Sequence, residues 1–172
     1  MRETPEHHES IRVLLGEHPF THDLPESVRE RLRTIATLRV YDPDTLVIRQ
    51  GRAASHFFLI VDGLVAIELY TQHLRGRDVI RIQTLGGGDV IGWSWLIPPY
   101  RWAFDARVIA PSQMIVLDAD RLRAWMETDP AFGFAVLRKL VVVIAERLQA
   151  TRLQLLDIHT APSDMVPREL AR

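Results

Sequence analysis

Between Gly92 and Phe104 the chain gathers its chemically most distinctive side chains: Trp93, Trp95, Pro98, Pro99, Tyr100, Trp102 and Phe104, with Arg101 among them. Rings at this density serve one of three ends. They fill their own surroundings as a hydrophobic plug, wall a pocket for a ligand, or face outward to anchor a partner, a role in which Trp, Tyr and Arg are favoured. Strand alternation sorts the residues that follow. Arg101, Ala103, Asp105 and Arg107 share one face, and Trp102, Phe104, Ala106 and Val108 share the other. The apolar face belongs in the core. That sends Trp102 inward and Arg101 outward, where its guanidinium can lean toward Asp105 as a surface ion pair.

Other chemistries find no support. The chain has no cysteine, which removes disulfides, thiol nucleophiles, cysteine zinc sites and iron–sulfur clusters. His7, His8, His18 and His22 follow no metal-site spacing, and His56 and His73 fall at strand edges. No Ser/His/Asp set or pocketed carboxylate pair is suggested, so the expectation is a protein that is not an enzyme and holds no metal. Over 172 residues, 21 basic side chains against 22 acidic give a net charge of −1, unlike a protein that neutralises phosphates. No apolar run approaches the ~20 residues that span a bilayer. The polar, acid-bearing N-terminus is unlike a secretory signal. A cytoplasmic location follows as an expectation, with neither DNA nor membrane as a partner.

These residues need elements to position them. Residues 1–20 read as a polar arm with a short amphipathic piece at Ile11, Val13, Leu14 and Leu15. Asp23, Pro25 and Glu26 resemble a capping box, and Val28, Leu32, Ile35 and Ala36 continue at helical spacing. From Leu38 the texture is that of short strands broken by Gly and Asp turns, the pattern of a sandwich or small barrel. Asp62-Gly63 reads as a hairpin turn between Phe57–Val61 and Leu64–Tyr70. Phe104–Val108 and Met114–Asp118 read as two further strands. A short helix follows from Asp118 through Trp125. Asp129-Pro130 then opens a long helix reaching about Ile158. Its apolar side chains recur in sevens, at Leu137, Ile144 and Thr151 with Val141, Leu148 and Leu155 between, which predicts a dimer interface. The expected organisation is an arm at 1–20, a β-barrel domain at 21–128, the helix at 129–158 and a loose tail at 159–172.

The order of these elements resembles the cyclic-nucleotide-binding domain, the sensor half of Crp/Fnr regulators and of kinase regulatory subunits. Gly51 and Gly63 bracket the Phe57–Val61 run, with Val65 two residues after the second glycine, as in the family's glycine-paired hairpin. Gly88-Asp89-Val90-Ile91-Gly92 and Arg101-Trp102-Ala103 match the two ends of its phosphate-binding cassette. The resemblance covers residues 18–158 and implies a jelly-roll β-barrel between an N-terminal helix and a long C-terminal one. It also implies an anion site. Backbone N–H groups of Gly92, Trp93 and Ser94 would meet a cyclic phosphate with the Arg101 guanidinium, beside Trp102 and Ala103.

Two positions depart from the family pattern. The glutamate that accepts the ribose hydroxyl is replaced by Trp93, whose indole cannot accept that bond, a loss of ~1–3 kcal/mol. Trp102 stands where a serine or threonine often touches the phosphate. The resemblance therefore implies a stand-alone regulatory sensor without a DNA-binding output. It would bind cyclic AMP, cyclic GMP or another small anion and signal through the C-terminal helix of a homodimer. The alternative is a ligand-free interaction module whose aromatic cassette and helix dock onto a partner protein.

Overall fold

The computed structural model describes residues 5–73 and 76–160. Two helices, α1 (Pro5–Glu17) and α2 (Glu26–Arg33), precede a six-stranded antiparallel sheet. Its strands are β1 (Ala36–Tyr41), β2 (Leu46–Ile48), β3 (His56–His73), β4 (Gly76–Gly86), β5 (Val90–Ile91) and β6 (Asp105–Asp118). A single 3-10 turn (Trp93–Leu96) follows β5, and α3 (Ala119–Thr128) and α4 (Pro130–Thr160) close the order. The chain forms two compact units, one ending at Val136 and one beginning at Leu137. The tail expected beyond Thr160 lies outside the described residues.

The sheet runs β1-β6-β3-β4, with β2 on β6 and β5 on β3. β1 and β4 are its two ends, so the sheet stays open and is not closed into the expected barrel. Bulges curve it instead. The β3–β6 register shifts three times between Ile60 and Val65, and each bulge bends its strand.

One of these bulges corrects the hairpin expected at Asp62-Gly63. The chain does not turn there, and β3 runs on for 18 residues. Gly63 has φ 103°, and a Cβ on it would lie 2.5 Å from the Pro111 carbonyl oxygen. The glycine is demanded by the close approach of β6. The same pairing fuses the two strands expected around 104–118 into one, β6, which carries Pro111 through a bulged stretch.

The core lies where β3 meets its neighbours. Phe57, Phe58, Leu59 and Ile60 are all buried. Such a run is a strand covered on both faces. Phe57 packs on Phe20 and Trp95, with ring centroids 5.2 and 5.8 Å away, while Phe58 faces Trp102 at 6.4 Å. Each large side chain buried this way contributes about 1.5–3 kcal/mol.

Helix ends are set by polar caps, with one correction. α2 begins at Glu26 with Pro25 as its N-cap residue, so Asp23 is not the cap, and the helix ends at Arg33. The Pro25 ring fixes the extended entry, and the helix starts two residues later than a capping box at Asp23 would set it. Asp118 caps α3 by accepting the Arg121 N–H at 3.0 Å. Asp129 caps α4 by accepting the Phe132 N–H at 3.1 Å, with Pro130 in the first turn as expected.

Candidate functional site: the cassette between β5 and β6

The cassette opens on a loop held by its own backbone. The Gly88 N–H donates to the Ile60 carbonyl (2.8 Å), the Ile60 N–H donates to the Asp89 carbonyl (2.9 Å), and the Asp89 carboxylate accepts the Gly86 N–H (2.9 Å). Gly88 has φ 91° and lies beneath the Pro19 ring. His18 ties the other side of this loop. Its Nδ1 accepts the Phe20 N–H at 3.1 Å, so the proton sits on Nε2, which donates to the Ile60 carbonyl at 3.1 Å. Burial holds His18 below the usual imidazole range, against the raising effect of the Ile60 carbonyl and Asp89.

Gly92 has φ 87° and leads into the 3-10 turn. A Cβ here would stand 2.8 Å from Cζ3 of Trp102 and 3.1 Å from Cδ1 of Ile48. The Trp102 indole therefore lies directly against the cassette glycine, 7% exposed. Trp93 and Ser94 are half-buried. Trp95 is fully buried, and its Nε1 has no hydrogen-bond partner, an unsatisfied donor that costs about 1–3 kcal/mol.

Arg101 points the other way. Residues 51–54 pair with 100–102: Gly51 N–H to Trp102 O (2.9 Å), Trp102 N–H to Arg52 O (2.9 Å) and Ala54 N–H to Tyr100 O (2.8 Å). This pairing imposes strand alternation, so Trp102 goes in and Arg101 goes out. The exposed Arg101 guanidinium donates to the Gly51 carbonyl at 2.8 Å. The ion pair with Asp105 does not form, because alternation is lost at the bend of Ala103 and Phe104. Beyond it Phe104 is 41% exposed and Asp105 is buried, accepting the Gln50 N–H at 2.5 Å. Ala103 is exposed. Opposite Asp105 on β3, the buried Glu68 carboxylate is met by Arg107 at 3.1 Å and Arg81 at 4.0 Å.

Sequence reasoning missed what fastens the cassette to α3. Arg123 donates to the Trp95 carbonyl at 2.9 Å and stacks 4.4 Å from the Tyr100 ring centroid. Its only local signal is the spacing from Asp120, with which it pairs at 2.5 Å, the spacing of a surface helix pair. A second arginine anchors the root of α4. Arg31 of α2 bonds Asp129 at 2.6 Å and lies between Trp125 and Phe132, 4.7 and 4.6 Å from their ring centroids.

The seven-residue repeat on α4 presents Leu137, Val141, Leu148 and Thr151 exposed and Ile144 half-buried. The Leu155 side chain lies outside the described residues. Among the described residues no group of three His, Asp or Glu gathers as a metal site.

This glycine-bounded cassette, on an antiparallel sheet followed by a long helix, defines a class of sensor domain. Residues 38–129 match the family model described as the cyclic nucleotide-binding domain. The chain belongs to the cyclic nucleotide-binding domain family, whose members are generally regulatory rather than catalytic.

No curated protein matches the chain. Among solved structures it is similar to a protein of Geobacter metallireducens described as cyclic nucleotide-binding (21% identity, 81% of this chain and 96% of that one, TM-score 0.68). It is also similar to a cyclic nucleotide-binding domain of Methylobacillus flagellatus (17%, 94% and 88%, TM-score 0.70). A third is the N-terminal domain of a transcriptional regulator of Streptomyces coelicolor (18%, 89% and 99%, TM-score 0.59). At these identities the likeness is one of fold. No described helix is long and apolar enough to cross a membrane.

Proposed function

We propose that this regulatory domain acts through protein contacts, with its cassette closed by its own Trp102, and does not depend on a cyclic nucleotide. The observation that carries this reading is the Trp102 ring seated against Gly92, where the family's cassette turns its backbone to a phosphate. Arg101, the residue of the family's phosphate contact, faces outward onto Gly51, and Trp93 offers no acceptor for a ribose hydroxyl. The module works as a homodimer. Phe134, 67% exposed, extends the repeat of Leu137, Val141 and Leu148 by one position, and apolar side chains recurring on this seam suit a second copy of the helix. Arg123 ties the cassette to α3, and Arg31 ties α2 to Asp129 and Phe132 at the start of α4.

Binding of cyclic AMP, cyclic GMP or another small anion is the second reading. It is favoured by the left-handed Gly92 and by the Arg101 guanidinium, which among the described residues bonds one carbonyl. Calorimetry with both nucleotides separates the two. The expected result is no heat at millimolar ligand for the wild-type chain. Saturable heat that disappears in Arg101→Ala overturns the proposal and establishes the second reading.

A further inference from the structure

The two ends of the sheet differ. On β4 the register to β3 shifts between Ile67 and Glu68, and a bulge of this kind turns an edge away from new partners. β1 pairs with β6 in unbroken register, from Ala36 opposite Leu117 to Tyr41 opposite Ser112. Backbone groups of a strand turn alternately to its two sides, so half of those on β1 face away from β6. Among the described residues no backbone bond beyond β6 takes up Thr37–Tyr41. A regular edge is thus left open.

A groove of about 410 Å³ adjoins this strand, between α1 and the sheet. Val13 and Leu14 of α1, Leu38 of β1 and Gln113 of β6 line it. Gln113 lies opposite Val40 in the ladder, and Leu38 and Val40 alternate to one face, so Val40 stands on the groove side. It is 71% exposed, more than any other large apolar side chain among the described residues. Glu9, also on the groove, is met by Arg12 at 2.7 Å. Arg39 points to the opposite face and is exposed. Among the described residues it makes no ion pair, and its side chain bonds Tyr41.

We infer that the β1 edge docks an extended segment of a partner protein as a further strand, with apolar side chains opposite Leu38 and Val40 and an acidic one opposite Arg39. In this mode main-chain bonds to the edge give affinity and alternate side chains give specificity. The apolar–acidic–apolar pattern follows from alternation. The side chains that flank the acidic one go to the groove face, and the carboxylate goes to the guanidinium. A second copy of this chain fits less well, because two β1 strands paired about Arg39 set like charges opposite each other. The inference rests on the reading that the domain works through protein contacts, and names the chemistry of one partner.

The test is a 1H–15N NMR titration of the full chain with the capped peptide Ser-Thr-Val-Glu-Val-Thr-Ser and with its Glu-to-Lys counterpart. At millimolar concentration the Glu peptide should give saturable shifts at amides 36–41 and 9–14, and the Lys peptide should bind several-fold more weakly. Arg39→Glu should reverse that preference. Val13→Glu, which sets a charge in the groove, should weaken the Glu peptide by at least about tenfold. Both variants change exposed side chains and should melt with the wild type. Absent shifts, shifts confined to other elements, equal binding of the two peptides by the wild type, or an unchanged preference in Arg39→Glu overturns the inference. Shifts at 36–41 on dilution without peptide assign the edge to a second copy and overturn it as well. Failure here with no nucleotide heat removes this edge alone. Nucleotide heat in the wild type removes the broader reading, whatever the peptide does.

Discussion

Trp102 is the residue on which the site turns. Its indole packs against Gly92, the contact on which the proposed closure of the cassette rests. Truncation to alanine should cost about 3–5 kcal/mol, as for large aromatic deletions in cores. Urea unfolding of Trp102→Ala measures it, and a loss under about 1 kcal/mol would show that the ring is not a core element. His18 makes a second residue-scale prediction. Burial lowers its pKa in the folded chain, so the unfolded chain takes up a proton first as the pH falls. The neutral ring contributes its full stabilisation above the ordinary histidine value of about 6.5 and loses it as pH falls through the lower folded value. Protonation would set an N–H on Nδ1 against the Phe20 N–H. Of the groups facing the ring, the Ile60 carbonyl and Asp89 temper the loss and His22 adds to it. The stability gap between wild type and His18→Phe should narrow between pH 8 and 5. A gap that widens on acidification contradicts this account.

At the scale of elements, the cassette is short and irregular, and its stability comes from its neighbours. The 3-10 turn has four residues, too few to hold itself. It is held from β3 through Phe57 and from α3 through Arg123, with Trp102 packed on Gly92 just before it. The Arg123 clip joins a charge-assisted bond to the Trp95 carbonyl with a stacked Tyr100 ring, contributions of about 1.5–3 and 0.5–1 kcal/mol. Arg123→Ala should therefore speed hydrogen exchange at residues 94–100 by roughly tenfold or more, at about 1.4 kcal/mol per decade, and leave the β3 amides protected. Uniform acceleration across the sheet would instead mean that the clip stabilises the whole fold.

At the scale of the whole molecule, the chain is a regulatory-class cyclic nucleotide-binding domain with a long C-terminal helix. α4 is 31 residues long and carries exposed Leu137, Val141, Leu148 and Leu153. Sedimentation should find the full chain dimeric at micromolar concentration. Leu148→Glu places a charge on the seam and should dissociate the dimer by at least tenfold without changing the melting of the monomeric unit. A wild-type monomer at ~100 µM would remove the dimer from the proposal. Dissociation by a control change at Arg152, off the repeat, would remove the register assigned to it.

Much of this was legible in order and spacing. The Asp129-Pro130 start located α4, since no proline or glycine occurs from Phe134 to Ala161 to stop it. The paired glycines and the cassette ends marked the family, since φ > 0 and close backbone approach admit little else. Alternation placed Trp102 inside and Arg101 outside. It failed at Phe104 and Asp105, because a bend resets the face and a bend is not a composition. Asp62-Gly63 looked like a turn because local preference favours one. The fold uses Gly63 instead to bring Pro111 against β3, a contact between residues 48 positions apart. Arg123, Ile48 and His18 also make contacts to residues distant in the sequence. The sequence by itself determined which side chains the cassette contains and which way they alternate, because those are local properties of the chain. Only the tertiary structure decided that Trp102 lies on Gly92 and that Arg101 turns to Gly51, because packing of distant segments, which local pattern does not encode, sets both positions.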